Sequence, residues 1–107
     1  MVALLLASMA GCSDDDEPPE AGQPLTAIDF RFAPSTITVT AGSQVMLRIT
    51  NQGKVAHNLS IPTIEADIDY QPGAKDNVIF VAPASGQVEF FCKFHKDQGM
   101  TGAFKVQ

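Results

Sequence analysis

Short runs of alternating apolar and polar residues, separated by glycine and proline, most constrain how this chain can fold. Successive side chains of a β-strand point to opposite faces, so a period of two predicts strands with one buried face. Turn signals separate several of these runs, which is typical of an all-β protein. The pattern therefore predicts an all-β sandwich of about seven or eight strands. The alternating segments are residues 26–32, 36–40, 44–50, 56–61, 87–92 and 100–106.

The phase of the alternation also predicts which side chains are buried. In residues 44–50 it directs Val45, Leu47 and Ile49 to the core. The first segment is expected to direct three side chains inward and two outward: Ile28, Phe30 and Phe32, with Asp29 and Arg31 facing solvent.

Two later segments lack a clean strand pattern. Residues 62–77 are the least regular, and we expect a solvated connection with a turn or short helix there. The alternative is an acidic docking patch for a partner, made by alternating Glu65, Asp67 and Asp69. Residues 78–82 are apolar on both phases, which indicates a central strand or a segment packed under a loop.

The N-terminal part of the chain resembles a leader with an anchor. Residues 1–10 are apolar, too few to span a bilayer, but they fit a signal-peptide hydrophobic region. The small residues before Cys12 resemble a lipoprotein processing site, where the cysteine becomes the acylated N-terminus. We therefore expect a leader at residues 1–12, an acidic linker at 13–24 and one domain at 25–107. The alternative is a disordered hydrophobic tail.

The net charge of −5 belongs to the linker and not to the domain. Five acidic residues lie within residues 14–20, whereas residues 25–107 contain seven acidic and seven basic residues. A neutral domain offers no basic surface for nucleic acid, so no nucleic-acid partner is expected. At 107 residues the chain is long enough for one small domain, which we expect to be a monomer.

A cluster of metal-ligating residue types follows the strand at residues 87–92. Cys92, His95 and Met100 lie in the eleven residues 90–100, and His57 is the only other histidine. The strand phases direct Cys92, His57 and Met100 to the same inner side of the sandwich. Thiolate, imidazole and thioether donors together suit copper better than zinc, because a thioether is a poor zinc ligand. Two histidines, one cysteine and a weakly bound methionine are the ligand set of a copper electron-transfer site.

Each of these residues also has an ordinary structural explanation. Cys92 could be a buried apolar thiol or could pair with Cys12. His57 could be a hydrogen-bonded core histidine, and His95 an exposed loop histidine. Met100 could simply fill space in the core.

The pattern Cys92-x2-His95-x4-Met100 between two strands, with His57-Asn58 upstream, resembles the cupredoxin family of type 1 blue copper proteins, which includes plastocyanin and pseudoazurin. The resemblance covers the whole predicted domain. It implies a cupredoxin-like Greek-key β-sandwich that holds one copper ion, cycling between Cu(I) and Cu(II). It also implies that Asn58 links the histidine and cysteine loops, with backbone groups completing the link because Lys93 stands where Ser or Thr is usual.

The resemblance implies a one-electron carrier between redox proteins outside the cytoplasm, such as a cytochrome or a copper oxidase. The lipoprotein-like processing site would hold this carrier at the membrane through Cys12. Phe94 and the edge of His95 would form the apolar surface for electron exchange, and Lys93 and Lys96 would orient an acidic partner. Enzyme activity is not expected, because no histidine remains for a second copper centre. The alternatives are an extracytoplasmic copper-trafficking protein, with the same ligands but an exchangeable metal, and a metal-free interaction module.

Overall fold

The computed structural model describes residues 22–107, which form nine strands and two single turns of 3-10 helix. The predicted leader and the predicted anchor at Cys12 lie outside the described residues. Within residues 22–107 no helix has the length and apolar character of a membrane span. The strands are β1 (Gln23–Ile28), β2 (Arg31–Ala33), β3 (Thr36–Val39), β4 (Gln44–Asn51), β5 (His57–Ile61), β6 (Ala66–Tyr70), β7 (Lys75–Val81), β8 (Gln87–Phe91) and β9 (Thr101–Val106), and the helical turns are Pro62–Ile64 and Lys96–Gln98.

The strands form two sheets, so the prediction of an all-β sandwich is confirmed. One sheet has four strands in the order β2-β1-β4-β7, and the other has five in the order β3-β9-β8-β5-β6. Two pairings are parallel, β1 with β4 and β3 with β9, and the others are antiparallel. The β8–β9 pair runs from Gln87 opposite Lys105 to Phe91 opposite Thr101, and it supports the loop with the ligand candidates.

Alternating side chains from both sheets fill the core between them. The predicted inward side chains of β3, β4 and β8 are all buried, among them Ile37, Leu47 and Val88. Phe90 is central, because its ring lies 5.1 Å from that of Phe32 and 5.2 Å from that of Phe104, measured between centroids. The Phe32–Phe90 pair is edge-to-face, an arrangement that stabilises a core beyond the buried area alone.

The prediction for residues 26–32 was wrong in phase for β1 and for Phe30, whereas Phe32 is buried and Arg31 is exposed, as predicted. Leu25 and Ala27 are the buried residues of β1, and the strand ends at Ile28. The chain then turns at Asp29 and Phe30, and β2 pairs back antiparallel to β1. Phe30 is consequently exposed at the end of the sandwich instead of buried in it. The turn interrupts a sequence pattern that looked continuous.

The connection at residues 62–77 is also more regular than expected. The helical turn Pro62–Ile64 agrees with the predicted turn, but β6 follows it and pairs with β5 along its full length. β7 is an edge strand of the four-stranded sheet, so the expectation of a central strand there was wrong. Val78 and Phe80 face the core, whereas Ile79 and Val81 are exposed.

Candidate metal centre

Three of the four predicted ligand residues meet at one end of the sandwich. His57 is the first residue of β5, Cys92 follows the end of β8, and His95 lies in the loop before β9. One ligand atom from each lies within 4.8 Å of the others. The Nδ1 atom of His95 is 3.3 Å from His57 Nδ1 and 3.4 Å from Cys92 Sγ. Two imidazole nitrogens and one sulfur therefore face a common point.

The loop between Cys92 and Met100 is closed by its own backbone. The Cys92 N–H donates to the Met100 carbonyl at 3.0 Å, and the His95 N–H donates to the Cys92 carbonyl at 3.1 Å. Gly99 ends the helical turn Lys96–Gln98 with a φ of +89°, a left-handed conformation that favours glycine. These contacts tie the backbone of Met100, whose side chain is fully buried, to the backbone of Cys92. The role of its thioether as an axial ligand stays a prediction.

Asn58 joins the histidine strand to the cysteine loop. Its backbone N–H donates to Cys92 Sγ at 3.3 Å, and its Oδ1 accepts the Lys93 backbone N–H at 3.1 Å. Its Nδ2 donates to the carboxylates of Asp67 and Asp69 on β6. The backbone of Lys93 thus makes the link on the cysteine side. Bonds of this kind orient ligands and tune a bound metal.

Asp29 is a site residue that the sequence did not reveal. Its Oδ1 accepts a hydrogen bond from His57 Nε2 at 2.7 Å, and its Oδ2 accepts the Lys54 backbone N–H at 2.9 Å. The pKa of Asp29 lies below its usual value, mainly because of the Lys54 N–H and also through the bond from His57. With its hydrogen on Nε2, neutral His57 keeps the Nδ1 lone pair free to bind a metal. No signal in residues 26–32 predicts this, because the two residues are 28 positions apart.

The lysines around the loop make contacts that the sequence did not predict. Lys93 Nζ forms an ion pair with Asp67 at 2.9 Å, and this bond is the main reason that the pKa of Lys93 is raised. Lys96 Nζ lies 4.3 Å from the ring centroid of Phe91. Both lysines are exposed. Partner orientation by these lysines stays a prediction, and Lys96 is the better candidate because Asp67 offsets the charge of Lys93.

His95 is the ligand candidate nearest the surface. It is half-buried, whereas His57, Cys92 and Met100 are fully buried. The Phe30 ring lies 4.7 Å from the His95 ring and the Phe94 ring 6.3 Å from it, measured between centroids. Both phenylalanines are exposed, at 40% and 48%. We call Phe30, Phe94 and the edge of His95 the apolar rim; sequence analysis predicted Phe94 and His95 but not Phe30.

The chemistry of these donors fits one copper ion. Soft sulfur and imidazole donors are the preferred ligands of copper in electron-transfer sites. A structural zinc site would want four strong donors, and residues 22–107 bring together only three such side chains here. Every buried side-chain nitrogen and oxygen in the described residues has a hydrogen-bond partner.

The family comparison agrees with the geometry. The family model described as a cupredoxin-like domain matches residues 1–103. No curated protein sequence matches the chain significantly.

Several solved structures share the fold. An auracyanin from the photosynthetic bacterium Roseiflexus castenholzii is 18% identical, with a TM-score of 0.70 over 80% of this chain and 96% of that one. Auracyanin A of Chloroflexus aurantiacus, a blue copper protein, is 18% identical, with a TM-score of 0.65 over 81% and 98%. Plastocyanin from Dryopteris crassirhizoma is 21% identical, with a TM-score of 0.60 over 79% and 100%.

Proposed function

The chain belongs to the cupredoxin-like domain family, and from this premise we propose that it is a type 1 copper protein that carries single electrons between redox proteins outside the cytoplasm. The convergence of one ligand atom each from His57, His95 and Cys92 within 4.8 Å is the observation that carries the proposal. We assign these three residues as the strong ligands and Met100 as the weak axial ligand.

Bound copper supplies a one-electron couple, and the protein supplies a fixed geometry for both oxidation states. His57 is held by β5, and Cys92 and Met100 are tied together by a backbone hydrogen bond of 3.0 Å. Because these three side chains are fully buried in a packed core, they have little room to move when the charge of the ion changes. A site that reorganises little exchanges electrons with a low barrier.

The apolar rim offers a surface for electron exchange. His95 is the ligand that reaches the surface, and the exposed rings of Phe30 and Phe94 surround it. Apolar contact at this end would bring a partner's redox centre close to the copper and exclude water from the path. Lys96 would add attraction for an acidic partner such as a cytochrome or a copper oxidase domain.

Enzyme activity is not part of the proposal. The chain has two histidines, and both lie in the candidate centre, so the chain provides none for a second, substrate-binding copper. The burial of Cys92, His57 and Met100 also favours a carrier over a copper-trafficking protein, which needs a metal that exchanges readily. The predicted lipid anchor at Cys12 and the location outside the cytoplasm belong to the same proposal.

Absorption and EPR spectra of the copper-loaded protein test the proposal. We expect an intense visible band from the copper–thiolate bond, and we expect Cys92→Ser to lose it. A strong chelator should remove the copper slowly. A wild-type protein that stays colourless with Cu(II) would contradict the type 1 site, and rapid loss of copper to the chelator would favour trafficking.

A further inference from the structure

The Asp29 carboxylate joins the two sheets at the metal end of the molecule. Asp29 follows β1 of the four-stranded sheet, whereas His57 begins β5 of the five-stranded sheet. Their hydrogen bond of 2.7 Å lies on the Nε2 side of the imidazole, opposite the Nδ1 that faces Cys92 and His95. The His57 side chain is 1% exposed and that of Asp29 is 24% exposed, so the pair is mostly shielded from water.

The loop at residues 52–55 closes over this hydrogen bond. A Cβ atom placed on Gly53 would overlap Asp29 Oδ1 and lie 2.7 Å from His57 Nε2. The backbone of Gly53 therefore rests directly against the pair, and a larger residue would push the partners apart. Buried Asn51 fixes the loop in this position, because its Oδ1 accepts the Gly53 N–H at 2.8 Å and its Nδ2 donates to the Val55 carbonyl at 3.0 Å.

Two contacts on the carboxylate, and a third that fixes the loop making them, thus keep one carboxylate oxygen on His57. The Lys54 N–H holds Oδ2, the Gly53 backbone covers Oδ1, and Asn51 locks the loop that carries both. A carboxylate that accepts the second N–H of a ligand imidazole fixes its tautomer and orientation and makes it a stronger donor. Its negative charge also favours Cu(II) over Cu(I), since the more highly charged ion gains more from a nearby anion.

We propose that Asp29 is a positioning residue that holds His57 with Nδ1 toward the copper and lowers the reduction potential of the site. This inference rests on the proposed function, because it assigns Asp29 a role toward the same copper ion. It differs from a purely structural role, since the charge of Asp29, and not only its hydrogen bond, determines the potential.

The first test compares the reduction potentials of wild type, Asp29→Asn and Asp97→Asn. Asn keeps an oxygen that can accept the His57 hydrogen bond but removes the charge. We expect the ratio of Cu(II) to Cu(I) affinity to fall about tenfold in Asp29→Asn, a rise of about 59 mV for a one-electron couple. Asp97 is exposed in the ligand loop, so Asp97→Asn controls for loss of a nearby charge. Equal shifts in the two variants would overturn the proposal.

The second test determines the tautomer of His57 in the copper-free protein. Nitrogen-15 NMR of the metal-free wild type should show His57 with its hydrogen on Nε2. Gly53→Ala should displace Asp29, which would mix the tautomers and raise the potential of the copper-loaded form in the same direction as Asp29→Asn. An unchanged tautomer and potential in Gly53→Ala would contradict the proposal.

The outcomes separate the two levels of inference. A colourless copper-treated wild type would overturn the proposed function and this inference together. A coloured wild type whose potential is the same as that of Asp29→Asn would overturn the role of Asp29 alone.

Discussion

The two histidines of the centre lie in opposite surroundings. His57 is fully buried at the start of a strand, and Asp29 accepts a hydrogen bond from one of its ring nitrogens. The loop at residues 52–55, which we call the covering loop, packs against this pair. His95 lies in a loop, is half-buried, and has exposed Phe30 and Phe94 beside it. Under the proposed function, the buried side would determine the properties of the metal and the exposed side would meet a partner.

The strongest test of this comparison replaces each histidine by glycine. His57→Gly opens a cavity in the core and should cost about 3 kcal/mol of unfolding free energy in the metal-free protein. His95→Gly should cost less than about 1 kcal/mol, because its site is open to solvent. Urea denaturation measures both values.

Added imidazole should also separate the two variants. A gap at the half-buried His95 position is open to solvent, so the visible band should return at low imidazole concentration. The buried His57 position should need much more imidazole. Equal stability losses and equal imidazole requirements would contradict the division between a buried and an exposed side.

The second prediction concerns the support of the buried side. Asn51 is fully buried and bonds the Tyr70 carbonyl at 2.9 Å as well as the backbone of the covering loop. Asn51→Ala leaves these groups without partners and should cost about 2 kcal/mol. The control Gln98→Ala, at an exposed position in the ligand loop, should cost less than about 0.5 kcal/mol. Similar losses of unfolding free energy in the two variants, measured by urea denaturation, would show that the covering loop and the ligand loop are equally important for stability.

The third prediction concerns the exposed side. Lys96→Glu should reduce the association rate with an acidic redox partner several-fold at low ionic strength. Added salt should reduce the difference in association rate between the wild type and this variant. Lys105→Glu is the matched control, because Lys105 lies four residues along β9 from the end that carries the ligands. Stopped-flow kinetics over a range of salt concentrations measure both. The same salt dependence in both variants would count against orientation by Lys96.

The smallest effect is expected at the ion pair that ties the ligand loop to β6. The pKa of Asp67 lies below 3.8, mainly because its carboxylate accepts a hydrogen bond from the Lys93 ammonium. A lowered folded-state pKa stabilises the protein above the unfolded value, and this contribution is lost as the pH falls through the folded pKa. Asp67→Asn should therefore lower the melting temperature of the metal-free protein slightly near neutral pH and not at pH well below 3.8.

The control for Asp67 is Glu89→Gln at another exposed acidic position. It should leave the melting temperature nearly unchanged at both pH values. A loss in Asp67→Asn that persists at low pH would show that hydrogen bonding to Asn58, and not the ion pair, stabilises this part of the sheet.

Much of the fold could be predicted because one buried face imposes a period of two. Val45, Leu47 and Ile49 follow that period without interruption, and all three are buried. The same period placed Cys92 and His57 inward, and these are the side chains that meet. Period and residue chemistry were sufficient for these ligand candidates, because both are local properties of the sequence.

The errors arose where tertiary contacts override the local pattern. Ile28, Phe30 and Phe32 alternate in sequence, but the chain turns at Asp29 and Phe30, which breaks the run. β6 was missed because its outward positions are the acids Asp67 and Asp69, which are also typical of a loop. The Asp29–His57 contact joins two sheets, so its partners are neighbours only in the folded protein.

The closure of the ligand loop has a consequence for how such proteins can diversify. Phe91 faces Thr101 across the sheet and Cys92 bonds to Met100, so the two ends of the loop are fixed whatever lies between them. This one short segment contains three of the four ligand candidates, Cys92, His95 and Met100. If the segment holds copper as proposed, insertions, deletions or grafts inside it would alter the metal site in a single event and leave the remaining framework with His57 in place.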